Sequence, residues 1–306
     1  MHAPADPKPK LLPVRFLLQF AAVTLIWGST WLVIRDQIGV VPPSWSVAYR
    51  FLIAGSVMAL VCLVTGRSLK AAAPAHGFFL AMALFQFTLN FNFVYRAEAY
   101  VTSGLVAVAF ALLVVPNAAL AWIFLKQRIT LRFAWGAALG IVGVSLLFWQ
   151  EFGNVGAGGG GGVGIGLVLT LLGVISASVG NILQATKRGR SLDVMVTLAW
   201  SMLYGGLGNA VFAWAVSGPP TIETTPTYIA GVLYLALAAS AIAFTLYYDM
   251  IRAVGPARAA YSSVVVPFVA MGLSTLFEGY RWSTLAFVGV ALAVAGLYIA
   301  LRARAR

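Results

Sequence analysis

The sequence predicts an all-α membrane protein of ten transmembrane helices, arranged as two inverted-topology repeats of five. Three observations predict it. The 306 residues are 61% hydrophobic and 9% charged, where a soluble domain carries about 25% charged residues. Apolar runs of the length a bilayer requires, about 20 residues, recur along the chain. The chain also repeats itself at a fixed offset of 151 positions, which pairs Pro116 with Pro267, Gln127 with Glu278, Gly55 with Gly206 and Phe110 with Tyr261. A repeat this long needs a structural cause.

The first five spans are Leu12–Ile34, Ser44–Val64, Gly77–Tyr95, Val101–Leu125 and Phe133–Trp149. The second five are Val163–Thr186, Val194–Val216, Tyr228–Ile251, Ala257–Phe277 and Thr284–Leu301. The chain therefore divides into a tail (1–11), a first repeat (12–150), a linker (151–166), a second repeat (167–302) and a closing tail (303–306). The linker holds the unbroken run Gly158 to Gly162, a composition expected of a flexible tether. A phosphate-binding glycine loop is the competing reading, but no Lys-Ser or Lys-Thr follows it. Gly136 and Gly140 form a GxxxG pair in the fifth span, with Gly289 and Ala293 as counterparts in the tenth. Small residues at that spacing let helices approach closely, so spans five and ten are expected to pack together, within one chain or across a dimer.

Lys and Arg set orientation, because cytoplasmic loops concentrate them. With a cytoplasmic N-terminus, sixteen of the 20 basic residues fall on the cytoplasmic side, among them Arg67, Lys126, Lys187 and Arg252. Only Arg35, Arg96 and Arg281 fall on the other side, and Arg50 lies inside a span. This predicts a multi-pass protein of the bacterial inner membrane with both termini cytoplasmic. Five spans per half turn the second half upside down relative to the first. Inverted repeats are a common construction of transporters, with the substrate site near the midplane.

The net charge of +12 would suggest nucleic acid in a soluble chain. Here the charge sits in short links between apolar runs, so the lipid bilayer is the expected partner and nucleic acid is not. The lone Cys62 permits no intramolecular disulfide. The first span is too long for a signal-peptide core and lacks an A-x-A-like cleavage site. His2 and His76 are the only histidines, so neither a metal site nor a serine–histidine catalytic pair is expected. No enzyme and no cofactor are read from the sequence.

Certain residues carry a family resemblance over nearly the whole chain after Lys10. In the first half they are Trp27-Gly28-Ser29-Thr30-Trp31, Tyr49-Arg50-Phe51-Leu52 with Gly55, and Tyr100-Val101-Thr102-Ser103-Gly104 leading to Pro116. In the second half they are Gly255-Pro256-Ala257-Arg258-Ala259 leading to Pro267 and Glu278. The chain resembles ten-helix, EamA-type members of the drug/metabolite transporter superfamily. The resemblance implies export or exchange of small metabolites, often amino acids, at the bacterial inner membrane. One departure is visible. Family halves usually end the fourth helix with Gly-Glu, and here the first half has Lys126-Gln127. The resemblance therefore does not carry an acid at both ends, and substrate does not transfer with a fold.

Candidate site residues are the polar and aromatic side chains held within spans. Arg50 is the one basic residue inside a span, and an intramembrane charge faces a cavity or a partner. It reads either as an anchor for a substrate carboxylate or as a side chain that snorkels to the headgroups or braces the bundle. Trp27, Thr30 and Trp31 share a face of span one, Gln86 and Asn90 of span three, Asn181 and Gln184 of span six, and Trp200 and Tyr204 of span seven. Tyr261 and Ser262 precede Pro267. Amides are costly against lipid, so these faces should turn inward. They read either as a binding pocket or as interhelical packing. Pro116 and Pro267 interrupt their spans and are expected to kink them.

These readings converge on a secondary transporter or facilitator exporting small metabolites, amino acids first and large apolar or aromatic ones among them. The protein would work as a monomer or homodimer by alternating access around a central cavity. A multidrug or nucleotide-sugar carrier, or a membrane subunit without transport, is the alternative.

Overall fold

A bilayer offers the backbone no water to bond, so an apolar chain closes its own hydrogen bonds as helices. The computed structural model describes residues 14–126, 128–154, 160–254 and 262–301. In order the helices are α1 (Val14–Asp36), α2 (Pro43–Val64), α3 (Ala73–Ala97), α4 (Ser103–Leu125) and α5 (Leu131–Asn154). Then come α6 (Gly160–Ala185), α7 (Val194–Ser217), α8 (Pro226–Met250), α9 (Ser262–Phe277) and α10 (Thr284–Leu301). Seven are long and apolar enough to cross a membrane, and α5, α9 and α10 contain shorter apolar stretches. The protein is an all-α membrane protein of about ten helices, one for each expected span.

Helix ends follow local chemistry. Asp193 caps α7, its Oδ1 accepting from the Met195 and Val196 amides at 2.8 and 3.1 Å. Thr225 caps α8 by accepting from the Tyr228 amide at 3.4 Å. Prolines open α2, α3 and α8, where the missing N–H costs nothing. The glycine segment departs from a simple tether: α5 runs on to Asn154 and α6 starts at Gly160, leaving 155–159 of it outside the described residues. Each helical glycine costs about 1 kcal/mol against alanine, less than leaving a peptide group unbonded near lipid.

Three helices are interrupted mid-span. In α4 the break lies between Ala111 and Val114. Pro116 has no N–H to offer the Leu112 carbonyl four residues earlier. Pro267 instead lies within the continuous α9. In α3 and α8 the winding loosens to π-helical turns at Ala83–Leu89 and Leu237–Ile242, a device frequent at functional sites.

Close backbone contacts hold the bundle. A Cβ added at Gly55 would lie 2.7 Å from the Leu203 backbone nitrogen, and one added at Gly206 2.7 Å from that of Leu52. So α2 and α7 meet through a reciprocal glycine pair. Helices α5 and α10 do the same: Gly143 presses on Gly289 and Ala293, and Gly296 on Gly136 and Gly140. Gly28 brings α1 against Val269 of α9. The end of the bundle where α1 starts, the near end, is tied by Arg67–Asp193 and by Arg252 donating to the Leu192 carbonyl at 2.7 Å. At the opposite, far end, Trp45 and Tyr49 donate to the carbonyls of Gly218 and Thr221 at 3.2 and 3.0 Å.

Candidate functional site

The motif around Trp27 shows how the sequence builds a site. Gly28 sets α1 against α9, and Ser29 faces the other way, its Oγ 2.7 Å from the Tyr234 hydroxyl. That leaves Trp27, Thr30, Trp31 and Ile34 on the face between the two repeats, where they line a cavity. The Trp27 indole donates to the Ala239 carbonyl at 3.1 Å, within the loosened turn of α8.

Helix α3 supplies Gln86, Asn90, Phe91 and Val94, α4 supplies Phe110, and α6 supplies Ala177 and Asn181. Phe244 and Tyr247 of α8 and Ser262 and Val266 of α9 complete the main walls. Trp27 stands 5.3 and 4.9 Å from the rings of Phe244 and Tyr247, and Trp31 stands 5.0 Å from Phe110. The cavity measures about 120 Å³, where a single water needs about 10–15 Å³ on that measure. It is sized for a small metabolite and not for a lone water.

Among the described lining residues, Arg50 is the one charged side chain. It is 1% exposed, so it does not snorkel to the headgroups. Its Nε donates to Ser240 Oγ at 2.9 Å, and Cζ lies 4.4 Å from the centre of the Phe91 ring. Its Nη1 is buried with no hydrogen-bond partner, as are Gln86 Oε1, Asn90 Oδ1 and Trp31 Nε1. Buried polar atoms are normally paired, and each one left unpaired is costly. Here four of them lie in the walls of one cavity.

The far side of the cavity is sealed. Ser103 donates to Glu278 through its amide at 3.3 Å and its hydroxyl at 2.6 Å, and Ser274 also donates to that carboxylate. The Gly104 amide donates to Ser274 at 2.9 Å, joining the start of α4 to the end of α9. Arg35, at the end of α1, donates to the Glu98 backbone carbonyl in the turn between α3 and α4. Toward the near end the cavity reaches Asn181, Tyr247 and Ser262.

The structure thus brings Trp27, Thr30, Trp31, Arg50, Gln86, Asn90, Asn181 and Ser262 together around one space. It places the remaining described candidates elsewhere. Trp200 and Tyr204 sit at the near end of α7, where Trp200 donates to the Leu69 carbonyl at 3.0 Å and the Tyr204 hydroxyl lies 2.8 Å from His76 Nδ1. Gln184 is buried one turn beyond Asn181 and is not part of the lining. Pro267 borders a separate apolar groove with Met271 and Trp282. Tyr261 falls outside the described residues. Ser240, which orients Arg50, was not signalled by any motif. Phe91, Phe110 and Phe244 were hidden because an aromatic inside an apolar run looks like any other core residue.

A bundle of about ten apolar helices around a central cavity, tied shut at its far end, is an architecture suited to membrane transport. The EamA-like transporter family matches residues 15–149 and 164–302, and the chain belongs to that family. It is 30% identical over 275 residues to an uncharacterized inner membrane transporter, YedA, of Escherichia coli, covering 89% of this chain and 86% of the relative. It is 23% identical to the protein PagO of Salmonella typhimurium, over 95% of this chain and 94% of that one. It is 24% identical to a probable amino-acid metabolite efflux pump of Escherichia coli, over 90% and 91% of the two chains. A crystal structure with 19% identity shares the fold at a TM-score of 0.68, covering 94% of this chain and 97% of its own.

Proposed function

We propose that this transporter exports amino acids, large apolar or aromatic ones foremost, across a bacterial inner membrane. The observation that carries the reading is the distribution of unpaired polar atoms in an aromatic cavity. Arg50 Nη1 is a buried cationic donor, and Gln86 Oε1 and Asn90 Oδ1 are buried acceptors, none with a well-formed hydrogen bond; Arg50 also interacts with the Tyr95 hydroxyl, and Gln86 Oε1 packs on Gly180 of α6. A guanidinium suits a carboxylate, and amide oxygens suit an ammonium. The indoles and phenyl rings suit an apolar side chain. The pump-like relative, named for amino-acid metabolites, supports the same class.

With the N-terminus cytoplasmic, the near end faces the cytoplasm and the far-end seal faces outward. Substrate would then load from the cytoplasm while the far-end seal is shut. Export follows when the seal between α4 and α9 opens and the near end closes, one repeat rocking against the other.

Purified protein in liposomes tests this reading. Uptake of phenylalanine or leucine is expected to exceed uptake of the matching amine, which lacks the carboxylate, and of the matching acid, which lacks the ammonium. Preference for the bare amine, for cationic drugs or for nucleotide sugars would replace it with the multidrug or nucleotide-sugar carrier, and no transport of any of these would favour a non-transporting subunit.

A further inference from the structure

Glu98 lies in the turn between α3 and α4, one helical turn past Val94, whose carbonyl accepts from the Glu98 amide at 3.1 Å. Val94 lines the cavity. The Glu98 carbonyl is held by Arg35 as part of the far-end closure. The residue thus links the cavity-lining end of α3 to the far-end closure. It is 0% exposed, and neither of its oxygens has a hydrogen-bond partner. An ionised carboxylate in that setting would lack both water and donors, at a cost of several kcal/mol.

The charged and titratable groups that act on it come from several elements. Arg35 and Asp36 close α1, Arg50 comes from α2, Tyr95 from its own helix α3, and Glu278 follows α9. The two arginines favour the charged form, and the two acids oppose it. Burial outweighs the rest and pushes the Glu98 carboxyl well above the usual carboxylate range.

We propose that Glu98 is a proton-binding site that governs the far-end seal, protonated while the seal is shut and ionised when it opens. Opening lets water reach the carboxyl group. Its O–H bond then breaks, the electron pair stays on the oxygen and the proton passes to water on the far side. Closing reverses the step. No proton crosses the membrane by this cycle alone; it links the seal to far-side pH. The group's pKa is raised in the shut state, so the shut state is favoured at low pH and loses ground as pH rises through the open-state pKa. Between the two pKa values, one released proton changes the open-to-shut ratio by up to about tenfold per pH unit.

The test uses the full chain in cells, in a Cys62→Ala background, with Ala107→Cys, at a lining residue of α4, as a probe inside the cavity. A membrane-impermeant thiol reagent is applied from the far side at a series of external pH values. Rates are divided by those of Glu223→Cys, a loop position at the far end, to remove the thiol's own ionisation. The ratio is expected to rise with pH. Glu98→Gln should flatten it, and Glu98→Asp should keep the rise but move its midpoint. Glu278→Gln and Asp36→Asn should displace the midpoint without removing the dependence. A flat ratio with Glu98 intact overturns the proposal, as does an unchanged rise in Glu98→Gln. Should Glu98→Gln fail to insert, an unmoved midpoint in Glu98→Asp overturns it instead. Loss of the rise in Glu278→Gln while Glu98→Gln keeps it would assign the proton to Glu278 and overturn it equally. No substrate enters the measurement, so its outcome is independent of which metabolite is carried.

Discussion

Arg50 of the first repeat donates from Nε to Ser240 Oγ of the second at 2.9 Å, and this bond spans the central cavity's wall. Ser240 itself donates to the Leu235 carbonyl at 2.8 Å, five residues back, in the loosened turn of α8. The π-helical winding thus places a hydroxyl where it can hold a guanidinium and leave Nη1 free.

Arg50→Ala is expected to weaken amino-acid transport by about ten- to a hundredfold, the range for a lost hydrogen bond to a charged group. Arg50→Lys should fall between, since an ammonium cannot grip a carboxylate with two parallel bonds. Ser240→Ala should cost about fivefold, because the guanidinium remains but is no longer aimed. Initial rates in proteoliposomes measure all three. A carboxylate-free analogue should lose less on Arg50→Ala; equal losses for both compounds would make Arg50 a brace of the bundle.

The reciprocal glycines Gly55 and Gly206 predict a stability effect. Alanine at either site must push apart backbones that a Cβ would meet at 2.7 Å, an overpacking cost of about 1–3 kcal/mol. The double variant should cost less than the sum, since both changes open the same gap. Gly208→Ala, where the nearest atom would be at 3.7 Å, should be neutral or better. Thermal unfolding in detergent reads the series, and equal melting of Gly55→Ala and Gly208→Ala would count against close packing.

Much of this fold was legible because the bilayer enforces helix and the 151-residue repeat exposes the duplication. The α5–α10 contact was legible in part: Gly136, Gly140, Gly289 and Ala293 marked faces for close approach, within one chain or across a dimer, and packing shows that they meet within the chain. The site was legible by face and not by partner. Periodicity put Trp200 beside Tyr204 correctly, but only packing shows that their face meets His76 at the near end. Glu98 was invisible because a carboxylate in a short link reads as solvated, and only the packed structure shows that it is fully buried. Ser240 was invisible because its direction depends on a π turn that no local residue type announces.

Orientation is tested by labelling. In a Cys62→Ala background, Glu223→Cys at the far end should react with an impermeant reagent added outside the cell. Ser191→Cys, in the basic near-end link that carries Arg188 and Arg190, should react only after permeabilisation. The opposite pattern would invert the bundle and turn the described conformation outward.

Gly104 carries the last prediction, because it sits in the α4–α9 contact of the seal. A Cβ there would lie 2.7 Å from Met271 Sδ and 2.7 Å from Ser274 Oγ. Met271 is flexible and can move aside. Ser274 cannot do so freely, since it bonds the Gly104 amide and the Glu278 carboxylate at once. Gly104→Ala therefore has to part α4 from α9 at their far ends. An overpacking cost of about 1–3 kcal/mol borne by the shut state alone shifts the open-to-shut ratio by about five- to a hundred-and-fifty-fold. Labelling of Ala107→Cys from the far side should rise accordingly, and transport should slow because the loading state is depleted. Gly272→Ala is the control, on the same helix with no atom within 4 Å of the added carbon, and should change neither. If Gly104→Ala labels no faster than Gly272→Ala while remaining folded, α4 and α9 do not form the moving seal, and access to the cavity must be controlled elsewhere in the bundle.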